Sequence, residues 1–365
     1  MSKNVIIVGL RISELKGKPQ HTLLGNPMRS WALFERLGRY GFNTQLFVGA
    51  GCDIDEPIQQ EFGDRLIVDS QEFIKKASEN DCIVIVCGTR IHETIAQHPW
   101  VLDIRNAKIV LAQCYHNRPE LLPIEFSSQI KHALFVTPRY LCAWNADYPT
   151  IPSSIMTTGQ VDKEPNALES NGDAIFVGHI HNLKFLNLMA KLAENNVDKN
   201  FHVVTSRIKN SEGKYVVMKD YDEEERNDVF AALVKRIYGT ACPDNLIYHF
   251  LPPGKEESLM DKVSVGIDYT WNPDWVLDNS KVPYYLTYGL NIIAHLPAPS
   301  HRFVTRFDAG VNVEQAANFN TWDKSFKQLT TLPVEHKNAR RYESGKFFSW
   351  DNVAFDVAAV LLNIE

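Results

Sequence analysis

Residues 174–184 read Ala174-Ile175-Phe176-Val177-Gly178-His179-Ile180-His181-Asn182-Leu183-Lys184. Four apolar residues closed by a glycine have the form of a buried parallel strand. The residues that follow open a helix over 182–193. A strand, a glycine turn and a helix in succession make one β–α step of a parallel sheet. Glycine lets a ligand approach the backbone, and the helix N-terminus offers free N–H groups and partial positive charge. Lys184 falls in the first helical turn, where a cation opposes the helix dipole. A bound anion is one reason for a lysine there, and a solvated surface position is the other.

The same alternation runs outward from this stretch. Downstream, strands are predicted over 201–205, 246–250, 263–268 and 291–295. Helices are predicted over 227–238, 282–288, 321–329 and 350–362. Upstream, 4–10 (NVIIVGL) is a continuous apolar run ending near a glycine. Further strands are expected at 44–48, 65–68, 82–86, 108–112, 133–136 and 154–157. Asn26-Pro27 starts a helix, since asparagine caps and proline suits the first helical position. Other helices are expected at 70–78 and 90–97. Between the two series lies 162–173 (DKEPNALESNGD), with the polar composition of an interdomain linker. The fold class is therefore α/β: two Rossmann-like domains, 1–162 and 173–345, facing a cleft. A final helical segment, 346–365, is placed to pack back across the domains. Ligand is expected in the cleft, at the carboxyl ends of the strands.

The chain has 365 residues, enough at ~150 residues per domain for two domains with proper cores. Hydrophobic residues are 44% and charged residues 22%, which excludes a disordered chain or a disulfide scaffold. With 38 Lys and Arg against 44 Asp and Glu, the net charge is −6. This mildly acidic balance gives no general footprint for nucleic acid. None of the six cysteines forms a CxxC pair, so reduced thiols in a cytoplasmic protein are expected. No run approaches the ~18 apolar residues of a membrane span, and peripheral contact at the inner face of the membrane stays open.

Several motifs carry chemistry. The opening VIIVGLR has one glycine and not the three of a dinucleotide fingerprint, which argues against an NAD enzyme. Gly9 and Arg11 are candidates for the mouth of the expected cleft, with a solvated loop position the favoured reading of Arg11. Asp53-Ile54-Asp55 matches a D-x-D metal pattern, but acidic pairs in loops are common, and no metal site is expected. The densest signal is 278–294 (DNSKVPYYLTYGLNIIA): a polar turn, a short helix, Gly289, then an apolar strand. Asp278, Ser280 and Lys281 stand where a second helix N-terminus would face the ligand, with Lys281 favoured as a phosphate ligand over a rim charge. Trp271, Trp275, Tyr284, Tyr285 and Tyr288 are candidate stacking faces for a ring, although Tyr285 and Tyr288 at helical spacing suit a core. Ser349 or Asp351 caps the last helix.

Three segments, 174–184, 278–294 and 346–354, together resemble the C-terminal domain of GT-B glycosyltransferases, above all the family-4-like group. Gly178 and Lys184 keep the group's glycine-to-lysine spacing, with His179 at the position of its arginine. Lys281, Tyr285, Leu286, Gly289 and Ala294 match its helix and strand in register. Phe348-Ser349-Trp350-Asp351-Asn352-Val353-Ala354 is similar to its closing motif. The chain departs where Tyr284 replaces the glutamate that often binds the nucleotide ribose, and Val276 replaces an earlier acidic residue.

The resemblance implies a glycosyltransferase that moves a sugar from a nucleotide-sugar donor to a glycan or lipid-linked acceptor, in polysaccharide or glycan biosynthesis. The donor would contact Gly178, His179, Lys184, Asp278, Ser280, Lys281 and Tyr284, with no metal or other cofactor. The acceptor would lie on the N-terminal domain. There His116 is the candidate general base, ahead of Glu120 and Asp147. The alternative is a non-catalytic GT-B-like partner of an active transferase. A nucleotide-sugar epimerase is a third reading.

Overall fold

The computed structural model describes residues 3–9, 12–17, 19, 26–79, 81–88, 95–96, 98–112, 122–160, 170–251, 255–269, 281–295, 301–314, 317–331 and 333–364. The chain divides into two compact units. The first is Met1–Asp162 with Phe348–Glu365, and the second is Lys163–Phe347.

In chain order the first unit's strands are β1 (Asn4–Val8), β2 (Glu14–Leu15), β3 (Asn43–Phe47), β4 (Asp53–Ile54), β5 (Leu66–Ile67), β6 (Ile83–Cys87), β7 (Lys108–Ala112), β8 (Ile130–Phe135) and β9 (Ser153–Ile155). Seven of them form one parallel sheet in the order β5-β3-β1-β6-β7-β8-β9. β6 reads IVIVC and is buried along its whole length, as a parallel strand covered on both faces must be. The chain steps outward from β1 to one edge, then returns and builds toward the other. Its direction reverses between β1 and β6, the place where open α/β sheets receive ligands. Arg11 and most of 90–97 lie outside the described residues. Gly9 donates its N–H to the Phe47 carbonyl at 2.8 Å.

The D-x-D segment is absorbed by structure. Asp53 lies on β4, paired with β2, and its carboxylate meets Lys16 Nζ at 2.5 Å. Asp55 caps the helix Glu56–Phe62, accepting the Ile58 N–H at 3.1 Å. Among the described residues no group of His, Cys, Asp and Glu could hold a metal ion. Cys52, Cys82, Cys87, Cys142 and Cys242 are free thiols.

The last helix, Trp350–Leu362, belongs to this first unit. Trp350, Val353, Ala354, Val357, Ala358 and Leu361 join one core cluster with Met28, Trp31 and Ala32 of the helix Asn26–Arg36. Ser349 is the N-cap, accepting from Asn352 N at 3.2 Å. Asp351 instead binds Arg36 and Arg39, at 2.9 and 3.1 Å.

The second unit carries β10 (Ala174–Val177), β11 (Phe201–Val204), β12 (Arg207–Lys209), β13 (Tyr215–Val217), β14 (Leu246–His249), β15 (Val265–Asp268), β16 (Asn291–His295) and β17 (Gly310–Val313). Six form a parallel sheet in the order β14-β11-β10-β15-β16-β17, which again reverses direction beside its first strand, between β10 and β15. β12 and β13 form a separate antiparallel hairpin. Nothing in the sequence reading covers this hairpin, β17 or the helix Val334–Phe347. The helix expected from 227 begins a turn earlier, at Glu223, because Asp222 and Glu225 form a capping box. No helix among the described residues is long and apolar enough to cross a membrane.

Candidate functional site

The site is built where the second sheet reverses direction. β10 and β15 are paired only at Ala174↔Val265 and Ile175↔Gly266. Beyond that point the Tyr285 hydroxyl stands between them. It accepts the Val177 N–H at 2.9 Å and donates to the Ile267 carbonyl at 3.2 Å. The wedge needs room at Gly266, where a Cβ would sit 2.5 Å from the Tyr285 ring. Tyr285 and Tyr288 are thus core residues, 0% and 1% exposed, and not ring-stacking faces. The Tyr285 side chain thus fills the gap between the two strands at their carboxyl ends.

Gly178 turns the chain away from β10. Its φ is +129°, a conformation that costs a side-chain-bearing residue strain, and a Cβ there would lie 2.8 Å from Lys281 Cε. The glycine therefore exposes backbone directly to a lysine side chain. Lys281 is the first residue of the helix Lys281–Thr287. Its Nζ lies 3.9 Å from Asp268 Oδ1 at the end of β15 and 5.0 Å from the centre of the Phe176 ring.

The helix Leu183–Asn195 starts two residues past His181. Asn182 caps it, accepting the Lys184 N–H at 2.8 Å, and Lys184 lies exposed in the first turn, which has no acidic residue. Leu183, Phe185, Leu186 and Met189 bury the helix's inner face, which fixes where its free N–H groups point. His179 and His181 project from the loop, their rings 6.2 Å apart. Burial, then the charges of Arg207 and Lys281, hold His179 below the usual histidine range. Burial, then Lys281, His179 and Lys209, do the same to His181. Burial is the larger cause for both imidazoles, and the neighbouring cations add to it in the same direction.

Of the residues picked from sequence, Gly178, His179 and Lys281 are brought together, with Lys184 on the adjoining helix. Tyr284 is on the Lys281 helix and donates its hydroxyl to Glu256 at 2.7 Å. Burial, then the Glu256 carboxylate, raise its pKa. Asp278, Ser280, Trp271, Trp275, His116 and Glu120 lie outside the described residues. Asp147 ends the helix Pro138–Asp147. Sequence reasoning passed over Arg207, Lys209 and Glu256. The alternation Arg207-Ile208-Lys209 was the available signal, because a strand puts residues 207 and 209 on one face.

No family model matches the sequence. No curated protein matches it either. The fold does match solved structures, among them several at 10–12% sequence identity. WaaG, a glycosyltransferase involved in lipopolysaccharide biosynthesis, superposes with a TM-score of 0.57 at 11% identity, over 99% of this chain and 100% of that one. A glycosyltransferase from Rickettsia africae gives 0.62 at 10% identity, over 100% of each chain. The E. coli trehalose-6-phosphate protein bound with UDP-2-fluoro glucose gives 0.59 at 10% identity, over 99% of each chain. The chain thus has the GT-B fold of these glycosyltransferases, in divergent form.

Proposed function

We propose that the protein is a nucleotide-sugar-dependent glycosyltransferase of hexosyltransferase type. It would carry a sugar to a glycan or lipid-linked acceptor in polysaccharide or glycan biosynthesis. The observation that carries this reading is the grouping of Gly178, Lys281 and a helix N-terminus at the reversal of the second sheet. There Gly178 offers backbone, Lys281 reaches it from the first turn of the helix Lys281–Thr287, and the helix from Leu183 presents free N–H groups. In transfer, an acceptor hydroxyl oxygen bonds to the sugar's anomeric carbon and gives up its proton to a base or to the leaving group, while the bond from that carbon to the diphosphate oxygen breaks and its electron pair leaves with the nucleoside diphosphate. Charge grows on that group in the transition state, and a fixed donor aimed at it is typically worth ~2.7–4 kcal/mol. Lys184, Lys281 and the helix N-terminus supply such donors with no metal in the scheme. His179, Asp278, Ser280 and Tyr284 complete the proposed donor set. The acceptor would bind the first unit, with His116 as general base if the reaction inverts configuration. The reading places the enzyme in the cytoplasm, free or peripheral at the inner face of the membrane.

The test is thermal shift against UDP-, GDP-, dTDP- and ADP-sugars, with Lys184→Ala and Lys281→Ala alongside. A ligand at a hundredfold excess over its Kd stabilises by ~2.7 kcal/mol. We expect one nucleotide to raise the melting temperature and either lysine variant to abolish that rise. A folded sample that no donor stabilises would sink the transferase reading in favour of a non-catalytic partner of a transferase.

A further inference from the structure

The loop after β10 is not solitary. Ile180 donates its N–H to the Arg207 carbonyl at 3.0 Å and accepts the Lys209 N–H at 2.8 Å. Ile180 and Ile208 thereby form a parallel bridge that joins the loop to the β12–β13 hairpin. The two short runs match in pattern. Ile180 and Ile208 are 1% and 0% exposed, so the residues flanking each isoleucine face outward: His179 and His181 from the loop, Arg207 and Lys209 from β12. Pairing of Lys209 with Tyr215 adds a phenol to the same outer face, and its hydroxyl hydrogen-bonds His181 Nδ1. Ser206 Oγ lies 3.5 Å from His179 Nδ1. Among the described residues neither the Arg207 guanidinium nor the Lys209 ammonium has a carboxylate partner. Two charges without a carboxylate partner among the described residues therefore share a face with two imidazoles, beside the loop that Lys281 reaches.

Building on the reading above, we infer that the β12–β13 hairpin is part of the anion site, with Arg207 and Lys209 as direct ligands of the donor's diphosphate. Guanidinium and ammonium groups are the side chains suited to phosphate oxygens, arginine in a two-pronged manner and lysine as a point charge. The hairpin is tied to the loop by backbone hydrogen bonds, so its charges are held in place before ligand arrives.

The test is calorimetric titration of the full chain with UDP, GDP, dTDP and ADP, and with inorganic pyrophosphate. Arg207→Gln and Lys209→Gln are compared with Lys214→Gln, an exposed lysine near the hairpin turn. All three should melt within about 2 °C of wild type without ligand, as surface substitutions do. We expect Kd for the preferred nucleoside diphosphate to rise at least tenfold in Arg207→Gln and several-fold in Lys209→Gln. Pyrophosphate binding should weaken by similar factors, and Lys214→Gln should bind as wild type does. Wild-type affinity in both hairpin variants would overturn the inference while leaving the donor site standing. Weakened UDP binding with unchanged pyrophosphate binding would also overturn it, since the hairpin would then be reading the nucleoside. Absence of any diphosphate binding by the wild-type chain would instead remove the transferase reading on which the inference rests.

Discussion

His249 Nε2 lies 3.0 Å from His202 Nδ1, and His202 Nε2 lies 3.7 Å from the Asp173 carboxylate. Burial, then the neighbouring His202, push His249 down to about 4, well under its value in an unfolded chain. Burial also lowers His132, His179 and His181. For each of these groups the unfolded chain binds more protons between its unfolded and folded pKa values. Stability must therefore fall as pH drops from ~6.5 toward 4. Asp173 works in a separate window. Burial alone would raise its carboxyl, but the nearby His202 ring and hydrogen bonds from Asn200 outweigh that and hold it low, so its contribution is lost only in stronger acid. We expect the urea midpoint to decline steadily between pH 7 and pH 4.5, and to decline less in His249→Gln. Equal slopes in the two proteins would remove His249 from the account. At this scale the sequence was informative where a residue type was out of place. Gly178 at a strand end and Lys184 in a first helical turn each called for a ligand or a close approach. It was silent on Arg207 and Lys209, because a charge on an outward strand position is the ordinary solvated case until a neighbouring loop brings imidazoles to the same face.

The helix Val334–Phe347 shows where a pattern of residues misleads about a whole element. Its sequence, VEHKNARRYESGKF, has few apolar residues and no clear apolar stripe, so nothing marks it as a packing helix. Yet Lys337, Arg340 and Arg341 are all buried. The heads of Lys337 and Arg340 satisfy backbone carbonyls that helix ends and turns leave without donors, and Arg341 pairs with the Asp261 carboxylate at 3.3 Å. Lys337 Nζ donates to the carbonyls of Asp261 and Val263 at 2.8 and 2.7 Å. Arg340 donates to the carbonyls of Gly289, Leu290 and Asp308 and to Asn291 Oδ1, at 2.7 to 3.2 Å. Ser344 closes on the Leu286 carbonyl at 2.6 Å. The helix is thus a polar fastener beneath the Lys281 helix, and its three cations look from sequence like a solvated face. Arg340→Met would leave buried acceptors without donors, at about 1–3 kcal/mol for each group. We expect a loss of ~3 kcal/mol or more in urea unfolding with an unchanged slope. A loss below ~1 kcal/mol would mean that water takes over these carbonyls and that the fastening is dispensable. The helix Trp350–Leu362 is the opposite case. Its apolar residues gave its limits from sequence, with the cap left open between Ser349 and Asp351 until the structure showed Ser349.

At the scale of the whole chain, the alternation of strands and helices fixed the α/β class, because parallel strands buried on both faces are written as short apolar runs. The sequence did not say which unit the final helix would serve. Its residues are apolar around much of the circumference, so several packing faces were open to it. The first unit claims it through contacts far apart in sequence. Gly159 lies under Trp350, where a Cβ would come within 2.3 Å of the ring, and Gln160 N donates to the Phe348 carbonyl at 2.7 Å. At the other end Lys3 Nζ donates to the carbonyls of Leu361, Leu362 and Ile364, at 2.7 to 3.4 Å, where a cation also suits the helix dipole. The core of the first unit therefore closes only after the second unit's segment of chain has been made. A chain ended before Phe348 would leave Met28, Trp31 and Ala32 without their covering helix. The second unit's cluster, around Phe176, Leu186 and Phe201, includes no residue of that helix. Hydrogen exchange should then show β1, β3 and β6 losing protection while β10, β11 and β15 keep theirs. The single change Trp350→Ala should give a milder form of the same selective loss, with ~3–5 kcal/mol taken from the first unit. Protection of β1 at the full-length level in the shortened chain would show that the first unit's core is complete without its last helix.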